Sequence, residues 1–111
     1  MTGADPITAI SNLGPAMARA FADAGIADAE ALRALGADAA YARLLAAGTR
    51  PHFMAFLAVT LGLQGRPWND ADAQEKAALR ARFDALRATA ASRGANTLEA
   101  QLDALGVPRA P

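Results

Sequence analysis

The sequence predicts an all-α domain, a compact bundle of about six to seven short helices, and three observations carry that prediction. Alanine, the strongest helix former, fills 32 of the 111 positions, while Val, Ile, Tyr and Trp together supply seven. No stretch alternates apolar and polar residues long enough for a strand. Gly and Pro instead cut the chain into helix-length pieces with capping residues at their borders.

Asp5-Pro6 supplies a cap and a first turn for a short helix reaching about Ile10. Ser11-Asn12-Leu13-Gly14 reads as a tight turn, and Pro15 opens a second helix to Ala24, with Met17 and Phe21 on one buried face. Gly25 stops it. Asp28 caps a third helix, which buries Leu32 and Leu35 and ends at Gly36. A fourth runs from about Asp38 to Ala47, with Tyr41, Leu44 and Leu45 apolar and Gly48 at its end.

Pro51 opens a fifth helix that carries no formal charge and closes at Gly65. Its apolar residues run all round, which predicts the buried centre of the bundle. At roughly 20 Å it is too short to span a bilayer. A turn over Arg66-Pro67-Trp68-Asn69-Asp70 leads into the longest helix, about Ala71 to Arg93, with Leu79, Phe83 and Leu86 as its stripe. Gly94-Ala95-Asn96 is expected to break it, and Thr97 to Leu105 to form a last helix on Leu98, Leu102 and Leu105. The whole chain, 1–111, reads as one domain, with 94–111 as an extra C-terminal helix and tail.

Composition narrows the function classes. Eleven cations balance eleven acids, which argues against a strongly basic nucleic-acid clamp or a polybasic membrane tether. With no cysteine and one histidine, thiolate chemistry and multi-histidine metal sites are excluded. No cofactor is implied, because neither a P-loop nor GxGxxG occurs. Carboxylates are scattered singly, so no acid/base dyad suggests an enzyme. The N-terminus lacks a basic and apolar leader, which points to the cytoplasm, and the alanine and arginine bias suits a GC-rich bacterial genome.

One stretch carries a mechanism. Ile10 to Phe21 resembles a helix-hairpin-helix, in which a turn hydrophobe, here Leu13, packs between two helices. Asn12 stands where such motifs usually place glycine, and asparagine tolerates the left-handed backbone that the turn needs. Gly14 is read as the site of close backbone approach or positive φ, so Gly14→Val is expected to distort the hairpin. The second helix would offer free N–H groups and a positive dipole end to a phosphate, with Arg19 as the first cation. Asn12, Leu13, Gly14 and Arg19 are therefore the candidate nucleic-acid-binding residues, and a pure packing unit is the competing reading.

Other residues read as structural. His52 suits a capping or surface position, and Tyr41 and Trp68 suit the core or its rim. Arg80, Arg82, Arg87 and Arg93 make the long helix basic, but Asp84 stands at pairing distance from Arg80 and Arg87.

A wider likeness covers about residues 7–86. The stretch SNLGPAMARAFADAGIADAEALRALGADAAYARLLAAG, the uncharged helix, the G-x-x-W step at Gly65 to Trp68 and the helix with Glu75-Lys76 follow the order of the TfoX carboxy-terminal domain family. The resemblance implies an all-α fold with a helix-hairpin-helix-like element and a regulatory setting, since TfoX-like proteins include regulators of natural competence. Full-length forms carry a further amino-terminal domain, for which 111 residues leave no room, so a standalone copy is expected. The expected function is a non-enzymatic module that binds a protein partner or itself, without membrane or metal. The alternative is weak, sequence-independent contact with nucleic acid through the hairpin.

Overall fold

The computed structural model of the chain describes the backbone of residues 5–104 and the side chains of residues 5–92. It is all-helical, with no strand among the described residues. A single 3-10 turn, Ile7–Ala9, precedes five α-helices: α1 (Pro15–Asp23), α2 (Ala29–Leu35), α3 (Ala37–Ala46), α4 (Phe53–Leu63) and α5 (Ala73–Ala104).

The helix count is lower than the six to seven expected, for two reasons. The segment after Pro6 closes only a 3-10 turn before Ile10 returns to extended backbone. At the other end, Gly94-Ala95-Asn96 does not break the chain, and the two expected C-terminal helices are one. An interior glycine costs a helix about 1 kcal/mol, which a long helix without proline tolerates. The apolar seam of Leu98 and Leu102, with Arg93, lies outside the described side chains, and Leu105 with the tail lies outside the described residues.

The signals at the helix ends operate as the sequence suggests. Asp28 accepts the Ala31 N–H at 2.8 Å and caps α2. Asp72 does the same for the Glu75 N–H at the start of α5. The end of α4 is a Schellman motif: Gly65, at φ 73°, donates to Gly62, and the Arg66 N–H returns to the Leu61 carbonyl. The ends of α1 and α3 repeat that pattern around Gly25 and Gly48.

α4 packs on α3 and α5, and its Phe56, Leu57, Val59 and Leu61 are buried in one core cluster that draws residues from every other element. Its one buried hydroxyl, Thr60, donates back to the Phe56 carbonyl at 2.9 Å, and no buried side-chain polar atom among the described residues lacks a partner. The uncharged helix is not buried at both ends, however, because Met54 is exposed where α4 begins. Tyr41 of α3 packs edge-on to Phe56 at 5.3 Å and near Phe83 of α5 at 5.9 Å, which makes an aromatic centre.

Tyr41 is fully buried, and its hydroxyl both donates to the His52 carbonyl and accepts the His52 N–H. It thereby ties down the chain entering α4, where His52 is the N-cap residue although its side chain makes no cap bond. Burial pushes the phenol above the ordinary tyrosine range, against a smaller lowering by the His52 hydrogen bond. The folded state therefore favours the neutral phenol. Its stabilising effect is complete below the unfolded pKa of about 10 and is lost as pH rises through the higher folded value. Because Tyr41 is the only tyrosine, phenolate absorbance reads this group alone. The expected result is a midpoint above the free value with stability falling over the same window, and an unshifted midpoint would refute it. Tyr41→Phe leaves the His52 N–H without its acceptor, while the His52 carbonyl keeps the Ala55 and Phe56 N–H groups, and should cost about 1–3 kcal/mol in denaturant unfolding.

Candidate functional site: the hairpin and the loop it braces

The turn between Ile10 and Pro15 starts from a 3-10 turn and leads into α1, so the two-helix form of the expected motif is not what the chain builds. Its centre follows the expected logic. Leu13 is buried. Asn12 adopts φ 71°, the one left-handed non-glycine residue among the described residues.

The Asn12 side chain does more than permit the turn. Its Nδ2 donates to the carbonyls of Ala58 at 3.2 Å and Arg66 at 2.9 Å, and its Oδ1 accepts the Trp68 N–H at 3.0 Å. All the bonds are to backbone, and they fasten the hairpin to α4 and to the loop beyond it. Gly62 completes the seat from the α4 side. A Cβ there would fall inside contact distance of the Ser11 carbonyl oxygen and 3.2 Å from Ile10 Cγ2.

Gly14 departs from the expectation placed on it. It is the N-cap of α1, with extended backbone at φ −105°, and a Cβ on it meets nothing within 4 Å. The positive φ belongs to Asn12 and the close approach to Gly62, so a Cβ at Gly14 creates neither a clash nor left-handed strain. Arg19 lies on the exposed side of α1 and has no carboxylate partner among the described residues. The first turn of α1 has no side-chain cap.

Beyond α4 the loop is held from its other side by Arg66. Its guanidinium bonds Glu75 through both terminal nitrogens, at 2.7 and 2.8 Å, and reaches Asp70 at 2.8 Å and Gln64 at 2.8 Å. Pairing with Arg66 lowers the Glu75 pKa, and the two carboxylates raise that of Arg66. Between these anchors stands Trp68, with 50% of its surface exposed on a fixed backbone. The sequence suggests the core or its rim for this residue, whereas the structure leaves it exposed and outside the core cluster, held by the distant Asn12.

The arginines of α5 are largely engaged. Asp84 lies 3.3 Å from Arg80 and 3.7 Å from Arg87, the pairing that their spacing predicts. Arg82 instead reaches across to Asp38 of α3. Among the described residues no group of three or more His, Cys, Asp or Glu could hold a metal ion. No helix there is long and apolar enough to cross a membrane.

These features describe an all-α domain organised around a braced hairpin. The family model of the TfoX C-terminal domain matches residues 4–83, most of the chain, and the protein belongs to that family. No curated protein and no solved structure matches it.

Proposed function

We propose that this chain is a non-enzymatic regulatory module that acts by docking to another protein, in the competence- or DNA-related regulation associated with its family. The observation that carries the reading is the half-exposed Trp68 on a loop pinned by Asn12 and Arg66. Tryptophan is enriched among residues that dominate binding energy, and a pre-ordered backbone reduces the entropy lost on association. The test places a photoreactive residue at exposed Asn69 and compares adducts in cells with and without Trp68→Ala. Discrete protein adducts that disappear with the indole, while the melting temperature holds, are expected. Adducts indifferent to Trp68→Ala would remove it as the anchor.

A second reading is favoured by the uncapped start of α1 beside exposed, carboxylate-free Arg19. It is sequence-independent phosphate contact, in which Gly14 opens the approach while Asn12 and Leu13 only shape the turn. Fluorescence anisotropy of labelled DNA at about 50 and 200 mM salt tests it. Binding that weakens with salt and vanishes in Arg19→Glu supports nucleic-acid contact, and salt-independent or absent binding rejects it.

A further inference from the structure

An open groove of about 570 Å³ runs between α5 and the junction of α3 with α4. Leu45, Pro51, Ala88, Ala90 and Ala91 make most of its wall, and the alanines leave room for bulkier side chains from outside. Cations outnumber acids at its border. Arg87 lines it, Arg50 stands exposed between two lining residues, and Arg80 is tied to the wall through Asp84, the one carboxylate among the lining residues. Among the described residues, three cations against one acid give this face a positive balance in a chain whose net charge is zero.

Two of these cations, Arg80 and Arg87, are also pre-positioned. The Arg80 guanidinium lies 5.3 Å from the Phe53 ring centre, and that of Arg87 lies 5.6 Å from Phe83, while Asp84 holds both. Stacked and paired guanidinium groups keep donors free with little rotamer freedom left to lose. An apolar floor bordered by such groups matches a helix laid in a groove, with apolar residues down and carboxylates outward.

We propose that this groove docks an acidic amphipathic segment of a partner protein, a proposal that rests on the protein-docking reading above and adds a second contact face to Trp68. Its apolar side lies on Leu45, Pro51 and Ala91, and its carboxylates face Arg50, Arg80 and Arg87. A phosphate backbone would leave the apolar floor unused.

The test selects a phage-displayed library of random peptides, each about 16 residues long or four helical turns, on the full chain. Binding of the enriched peptides is then measured to Arg50→Glu, Ala91→Glu and Trp68→Ala. Arg50 and Ala91 are exposed, and unchanged melting temperatures verify that these variants fold. Enriched peptides should be net acidic with apolar residues three and four apart, and each groove variant should weaken them at least about tenfold, which is about 1.4 kcal/mol. Neutral or basic peptides, no enrichment, or binding indifferent to both groove variants would overturn the proposal. Peptides lost only in Trp68→Ala would overturn the groove and leave docking through the indole standing.

Discussion

Gly62→Ala is expected to lower stability by about 2 kcal/mol, although alanine favours a helix by about 1 kcal/mol over glycine. The added methyl has nowhere to go. Its nearest neighbour is the Ser11 carbonyl oxygen, a backbone atom that no rotamer change can move, with Ile10 Cγ2 at 3.2 Å behind it. Either α4 or the hairpin must shift, and overpacking of that kind costs about 1–3 kcal/mol before the helix gain is returned. A shift of the hairpin also lengthens the Asn12 bonds to Ala58 and Arg66, so the loss should fall at the upper end. For a domain of this size 2 kcal/mol corresponds to about 10 °C in melting temperature. An unchanged or raised melting temperature would show that Ser11 is not seated on α4.

Asn12→Ala should cost a similar amount, about 2–3 kcal/mol, by a different route. It removes three bonds to backbone groups, worth about 0.5–1.5 kcal/mol each and less where water can replace them. It also places a Cβ without a compensating side-chain bond at φ 71°, about 1 kcal/mol more. The series Asn12→Gly, Asn12→Ala, Asn12→Asp separates the two contributions. Glycine relieves the backbone and should lose least. Aspartate retains an acceptor for Trp68 but turns a carboxylate toward the Ala58 and Arg66 carbonyls, so it should fare no better than alanine. Equal losses for glycine and alanine in denaturant unfolding would assign the whole effect to the hydrogen bonds.

Local signals account for most of what the sequence made legible. Gly25, Gly48 and Gly65 end helices, Asp28 caps one, and Asp84 joins Arg80 and Arg87, all through interactions within a few residues. The family pattern placed the domain, and the match to residues 4–83 is close to the expected 7–86. What is not legible depends on distant parts of the chain. The turn pattern drew attention to Gly14, while the glycine that permits close approach sits in the middle of the uncharged helix. Asn12 was legible as a left-handed residue, but its partners lie 46 to 56 positions away and leave no mark on local periodicity. Arg82 likewise reaches Asp38 across 44 positions instead of a neighbour on its own face.

The brace between the hairpin and the far loop also sets an order of events during folding. Helices α1 to α3 close through short-range contacts, but the Asn12 seat is complete only when Ala58, Arg66 and finally Trp68 exist as its partners. On a ribosome the N-terminal turn must therefore wait for more than half of the chain to emerge, with Leu13 unprotected in the meantime. The amide of Trp68 serves as a clock for that closure. In pulse-labelled hydrogen exchange it should gain protection after the amides inside α2 and α3.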